Sequence, residues 1–206
     1  MKKNVIKGYN MQKQKFYNLT NPQLSIYLSE QFTQSPINNL CGTSYFDGNI
    51  DLEILKEAIN LTIKNNDSTR TIIIEKNGIP SQYFKKFENF DIEIKDFSSS
   101  TMENFKKFQK NFVEKKFKLT NNLLFNFIIC VLPNNEVALL ANFNHIIADA
   151  WTIGLLIDQI ASNYCVIKNN LTPDVPKHQY VDFIKRENEY INSKIYILIF
   201  ESINLA

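Results

Sequence analysis

Residues 142–151 of this sequence read Asn-Phe-Asn-His-Ile-Ile-Ala-Asp-Ala-Trp. The segment before them is apolar at every second position from Val137 to Phe143 and continues in phase to His145, which predicts a strand. The segment after them has apolar residues at helical spacing, from Ile153 to Tyr164. The stretch is therefore predicted to be a strand–turn–helix connection, with an imidazole at the end of the strand and a carboxylate just before the helix.

The turn brings His145 and Asp149 close together, and structural roles would account for both. A histidine that ends an apolar strand is often a hydrogen-bonded core residue. An Asp directly before a helix is often its N-cap, because the carboxylate accepts hydrogen bonds from the first backbone N–H groups. From spacing alone, a structural and a catalytic role both stay open.

Composition limits the class of protein. A chain of 206 residues, 44% of them hydrophobic, can bury one core and is expected to be a single domain or lobe. The net charge of +2 predicts neither nucleic acid nor a membrane as partner. The three cysteines, Cys41, Cys130 and Cys165, are far apart, so we expect buried reduced thiols and a cytoplasmic location, without a metal site. No segment has the pattern of a signal peptide or the length of a membrane span.

The segment from Asn144 to Ala150 resembles the His-His-x-x-x-Asp-Gly motif of nonribosomal peptide synthetase condensation domains, in the chloramphenicol acetyltransferase-like superfamily. His145 matches the second His and Asp149 the Asp. Asn144 stands in place of the first His, and Ala150 in place of the Gly. Asn144 is expected to form local hydrogen bonds. Ala150 requires an ordinary backbone conformation in the turn, because it does not adopt positive φ as freely as Gly.

Further segments resemble the same family in the same order. Leu19-Thr20-Asn21-Pro22-Gln23 is similar to its opening Leu-Thr-x-x-Gln element, followed by a helix whose buried stripe is predicted to be Leu24, Tyr27, Leu28 and Phe32. Arg70-Thr71 is similar to part of a Leu-Arg-Thr triplet, and Tyr180–Lys194 to a late charged helix. We therefore expect a lead-in at 1–18, an N-terminal condensation lobe at 19–194 and a divergent apolar tail at 195–206, with the second lobe absent.

The resemblance implies an α/β fold, an α+β two-layer sandwich in which helices pack on one face of a mixed, largely antiparallel sheet. It implies amide formation between an acyl thioester and an amine, both carried on phosphopantetheine arms of carrier proteins, with no cofactor bound to the lobe itself. His145 would be the catalytic residue, Trp151 would lie at the substrate tunnel, and Asp149 would be structural and pair with an arginine. Because the sequence has only two arginines, Arg70 and Arg186, Arg70 is the expected partner.

Three hypotheses about activity stay open. The first is a condensation lobe that acts only with a second lobe. The next in order is a non-catalytic binding module or remnant. The last is a trimeric acyltransferase that uses coenzyme A, with its active site between subunits. In each case a single lobe would expose an apolar patch near His145 and the C-terminal tail, and hence self-associate.

Overall fold

The protein is described by a computed structural model that covers residues 14–32, 37–133 and 136–196. Most of the predicted lead-in and most of the predicted apolar tail lie outside these residues, so the domain boundaries stay a prediction. Within these ranges the chain alternates between strands and helices, as the sequence pattern predicts.

The described helices are α1 (Asn21–Phe32), α2 (Leu52–Asn65), α3 (Met102–Val113), α4 (Ala150–Lys168) and α5 (Tyr180–Ile191), with a short 3-10 helix at Asp67–Arg70. The strands are β1 (Tyr17–Asn18), β2 (Asn39–Phe46), β3 (Thr71–Lys76), β4 (Ile79–Phe84), β5 (Glu93–Asp96), β6 (Phe125–Val131) and β7 (Val137–Asn144). None of these helices is long and apolar enough to cross a membrane.

The described strands form two sheets. One has the order β2-β7-β6-β5, with β5 parallel to β6 and the other pairs antiparallel. The other has the order β1-β4-β3 and is antiparallel throughout. Its hairpin turns at Asn77 and Gly78, with φ of 54° and 77°, the positive values that a tight two-residue hairpin turn requires. The predicted mixed, largely antiparallel α/β fold is confirmed, with its strands divided between two sheets.

Every residue of β7 is buried, because helices cover both faces of the four-stranded sheet. The odd-numbered residues of β7 pack in the main core, which contains residues of α2 and α4. Its even-numbered residues Ala138 and Leu140 pack against Phe105 and Phe112 of α3. The expected placement of helices on one face was therefore wrong. The reason is that the even-numbered positions Ala138 and Leu140 of β7 are apolar too, so a helix must shield that face of the sheet from water.

Helix α1 buries a different face from the one expected. Tyr27 is buried, as predicted, but the other buried residue is Gln23. Leu24, Leu28 and Phe32 are exposed, Phe32 by 86%. The apolar periodicity of this helix therefore marks a surface stripe, and a polar amide lies inside the fold.

The turn at 145–149 is held between two well-packed elements. The end of β7 is anchored in the sheet, and α4 buries Leu156, Ile160 and Tyr164 in the same core as β7. Full burial of an aliphatic side chain such as Leu156 or Ile160 stabilises a fold by about 1.5–3 kcal/mol. The positions of His145 and Asp149 are therefore fixed from both sides of the turn.

Candidate active site

His145 directly follows β7 and is exposed to solvent. Its backbone N–H donates to the carbonyl oxygen of Asn38 over 2.7 Å. The residue lines a cleft of about 220 Å³ formed by α1, the turn 145–149, the first turn of α4 and two aromatic residues of α5, Tyr180 and Phe183. The alternative of a histidine sealed in the core is thus excluded, and a molecule in the cleft can reach the residue.

Asn144 is buried and fixes the backbone on which His145 lies. Its Nδ2 donates to Oε1 of Glu30 over 3.0 Å, and its Oδ1 accepts from the N–H of Ile146 over 3.0 Å. A neutral histidine has the same pair of functions, one donor and one acceptor. The expected local hydrogen bonds of Asn144 are therefore present, but its amide cannot take up a proton as a histidine can.

Asp149 is the N-cap of α4. Its Oδ1 accepts from Oγ1 of Thr152 at 2.6 Å and from the backbone N–H of Thr152 at 2.7 Å. These two bonds hold the pKa of the Asp149 carboxyl below its ordinary value of 3.8. Ala150 begins the helix, and it is not among the residues of the described chain with positive φ. The turn is thus compatible with alanine at this position.

The predicted ion pair between Arg70 and Asp149 was wrong. Within the described ranges no ion pair of 4.0 Å or less joins them. The guanidinium of Arg70 instead donates to the carbonyl oxygens of Ile63 (3.1 Å), Lys64 (3.2 Å) and Lys85 (2.7 Å). The first two carbonyls belong to the last turn of α2, where carbonyls lack partners within the helix. Arg70 therefore caps α2 and does not support the turn of His145 directly.

Trp151 lies in the first turn of α4 and is 77% exposed. It lies outside the lining of the His145 cleft. Leu155, one turn later on the same helix, is also exposed. Trp151 is therefore a surface residue beside the cleft, and its predicted place at a substrate tunnel requires a further wall.

Gln23 is a site residue that sequence reasoning missed. Its buried Nε2 donates to the carbonyl oxygen of Ile146 (3.2 Å) and to Oε1 of Gln82 (3.0 Å). Gln82 returns a bond of 2.7 Å to Oε1 of Gln23, which also accepts from the N–H of Thr20. The signal is present in the Leu-Thr-x-x-Gln element, whose resemblance to the family assigns no role to the glutamine. This glutamine joins α1 to the turn that carries His145.

A larger cleft of about 550 Å³ lies between β2 and α3 and is lined in part by Cys41. Burial raises the pKa of the Cys41 thiol to about 11, so it is protonated at neutral pH and a poor nucleophile. Cys130 is buried, but Cys165 is exposed, contrary to the expectation of buried thiols. In the part of the chain that the structure describes, no group of three His, Cys, Asp or Glu side chains could hold a metal ion.

Comparisons with known proteins show the family of the chain. The family model for the condensation domain matches residues 13–197. The chain is 31% identical over 180 residues to one subunit of plipastatin synthase, and 28% identical over 186 residues to surfactin synthase subunit 1, both from Bacillus subtilis. These alignments cover 86% and 87% of the chain, but only 7% and 5% of the two synthase chains.

Solved structures share the fold. The starter condensation domain of the rhizomide synthetase RzmA superimposes with a TM-score of 0.80 at 18% identity, covering 87% of this chain and 45% of that one. A mutant of that domain, in complex with C8-CoA and Leu-SNAC, has the same TM-score. The first condensation domain of the calcium-dependent antibiotic synthetase gives 0.78 at 15% identity and is covered to 44%. This chain thus spans less than half of these solved domains, about one lobe. Since the family model matches about nine-tenths of its residues, the chain belongs to the condensation domain family.

Proposed function

We propose that this chain forms the N-terminal half of a condensation domain that joins an amine to an acyl thioester in nonribosomal peptide synthesis. The observation that carries the proposal is the place of His145. His145 is exposed in a cleft. Its backbone N–H is held by the carbonyl oxygen of Asn38, and the next N–H, that of Ile146, is held by the buried side chain of Asn144. An exposed imidazole on a rigid support suits chemistry better than packing.

The reaction requires proton transfer at the attacking nitrogen. A free α-amino group has a pKa of about 8 and is largely protonated at neutral pH. The neutral amine attacks the thioester carbonyl, the C–N bond forms, the C–S bond breaks and the thiolate leaves. The nitrogen must lose a proton on the way. The imidazole of His145 would accept that proton or hold the amine in place, and general-base catalysis contributes roughly 10² to 10⁴ in rate.

Membership of the condensation domain family supports a proposal for the substrates. Nonribosomal peptide synthetases carry intermediates on carrier proteins, and a mutant of the rhizomide domain was solved in complex with C8-CoA and Leu-SNAC. We propose thioesters of these two kinds as donor and acceptor, delivered by phosphopantetheine arms. Carrier proteins in the cytoplasm would then be the partners of this lobe. Carrier proteins and free coenzyme A present the same pantetheine arm, so free coenzyme A esters would also fit.

A second lobe is the proposed cover of the cleft. Trp151 and Leu155 are exposed one turn apart on α4, and the exposed Phe183 of α5 lines the cleft of His145. We infer that these apolar side chains belong to an interaction site, since large exposed apolar patches mark such sites. The second lobe would cover these side chains and close the tunnel, whether it belongs to the same polypeptide or to another chain. Without it, we expect the exposed side chains to promote self-association.

A non-catalytic role is the second candidate, favoured by Asn144 and Ala150, which depart from the family motif. Reconstitution separates the two. The chain is mixed with the C-terminal lobe of a related condensation domain and with carrier proteins that hold an acyl group and an amino acid, and amide product is measured by mass spectrometry. Product that requires both lobes supports the enzyme. Binding of the lobe and carriers without product supports the non-catalytic module. A trimer that forms product from coenzyme A esters alone supports the acyltransferase hypothesis.

A further inference from the structure

One carboxylate oxygen on α1 connects the two chain segments that support His145. Oε1 of Glu30 accepts from Nδ2 of Asn38 at 3.1 Å and from Nδ2 of Asn144 at 3.0 Å. Asn38 lies just before β2, and Asn144 is the last residue of β7. Glu30 therefore bridges three elements at a single point.

Both asparagines act directly on the backbone of His145. The carbonyl oxygen of Asn38 accepts the N–H of His145 at 2.7 Å. Asn144 is covalently attached to His145, and its Oδ1 holds the N–H of Ile146 on the other side. Because the carboxylate of Glu30 holds both asparagine side chains, it also constrains the peptide units on the two sides of His145.

We propose that Glu30 is a positioning residue for His145. This inference rests on the proposed function, since positioning matters only if the imidazole acts on a substrate. Hydrogen bonds to a carboxylate are about twice as strong as those between neutral groups, so Glu30 is a firmer anchor than an amide would be. It does not contact the cleft itself, because the cleft is lined from α1 by Pro22, Gln23 and Ile26.

Positioning has a large effect on this type of chemistry. A general base must lie within hydrogen-bond reach of the proton it accepts, and a misplacement of about 1 Å can lower the rate on the order of 10²-fold. His145 directly follows β7, and its N–H bond to the carbonyl oxygen of Asn38 continues the pairing of β2 with β7. The Glu30 bridge adds a side-chain constraint on both residues that flank this bond.

The test uses NMR on the whole chain, which contains only two histidines, so the imidazole signals of His145 and His178 can be separated. Glu30→Ala removes the acceptor, Glu30→Gln retains one acceptor oxygen, and Glu57→Ala is the control for loss of another helical carboxylate. The measured quantities are the imidazole shifts and the rate of amide hydrogen exchange at His145. The amide of Ile129, in the buried centre of β6, reports global stability.

We expect Glu30→Ala to speed exchange at His145 by about tenfold or more relative to Ile129, and to shift the imidazole signals, because a charge-assisted bond is lost. Glu30→Gln is expected to keep the exchange rate and the imidazole signals of His145 close to those of the wild type. In the two-lobe assay kcat falls in Glu30→Ala while KM changes little. Unchanged exchange and imidazole signals in Glu30→Ala would overturn the proposal, as would equal acceleration at His145 and Ile129. These NMR results do not depend on amide formation, so they separate failure of the Glu30 inference from failure of the proposed function.

Discussion

The side-chain amide of Gln23 donates a 3.2 Å hydrogen bond to the carbonyl oxygen of Ile146, one residue beyond His145. The same amide is bonded reciprocally to Gln82 in the smaller sheet, and both side chains are buried. The turn of His145 is thus tied to α1 and to β4 by a pair of amides that water does not reach. Such a network is stable only while each member keeps its partners.

Substitutions in this amide pair are expected to be strongly non-additive. Gln23→Leu or Gln82→Leu alone leaves a buried amide without its partner and should lower the free energy of unfolding by about 1–3 kcal/mol. The double variant should cost less than the sum of the two, because neither polar group is left behind. Urea unfolding measures all three, with Gln31→Leu on the exposed side of α1 as control. Additive losses would show that the two amides act independently.

Asp149 is expected to stabilise α4 in a pH-dependent way. Asp149→Ala should lose about 1 kcal/mol of unfolding free energy near neutral pH, and Asp149→Asn much less, because Asn is also a good N-cap. Since folding lowers the pKa of this carboxyl, its charged form contributes stability above the ordinary value of 3.8, and that contribution is lost as the pH falls through the lowered value. The difference between wild type and Asp149→Ala should therefore shrink in acid. Urea unfolding across this range provides the measurement, with Asp158→Ala, an exposed carboxylate of the same helix, as control. A difference that persists at the lowest pH would argue against the cap.

Arg70 and Asp149 are expected to be energetically independent. Arg70→Ala removes the guanidinium donor from three carbonyl oxygens, of which that of Ile63 keeps a bond from Oγ1 of Thr69, and should lower the free energy of unfolding by about 1–3 kcal/mol. In a double-mutant cycle with Asp149→Ala, the coupling energy should stay below about 0.5 kcal/mol, as for separate sites. Arg70→Lys should recover little, since an ammonium does not present the planar fork of a guanidinium. A coupling energy well above this limit would contradict this independence and support an ion pair between Arg70 and Asp149.

The strand–turn–helix unit around His145 could be predicted because apolar residues recur first at every second position and then at helical spacing. The N-cap role of Asp149 was one of the two alternatives that the sequence left open, since a cap depends only on neighbours in sequence. The partners of Arg70 could not be predicted in this way. They are backbone carbonyls at the end of α2 and beyond β4, which leave no mark on the sequence.

Helix α1 shows the other limit of sequence reasoning. Its apolar residues Leu24, Leu28 and Phe32 share a stripe, and a stripe normally marks the buried face. Here the stripe is exposed and a glutamine is buried, because the interior side of α1 meets the polar groups of the turn and of Gln82. The contact between Glu30 and Asn144 spans 114 residues and was likewise invisible before the fold was known.

Trp151 should report association with a second lobe. It is the only tryptophan of the chain and is 77% exposed, so its emission in the free lobe should be that of an indole in water. Addition of the C-terminal lobe should shift the emission to shorter wavelength and reduce quenching by acrylamide, because the ring loses contact with water. The same titration with Trp151→Phe provides the blank. A complex seen by light scattering without change in emission would place the second lobe elsewhere.

The most direct test of the account is amide formation by the reconstituted pair of lobes with His145→Ala. The expected loss is roughly 10²- to 10⁴-fold in kcat with no loss of folding, because the residue is exposed and carries no core packing. His178→Ala, in an exposed loop, removes the other histidine and should retain full activity. Equal product from wild type and His145→Ala would contradict the assignment of His145 as the reacting imidazole.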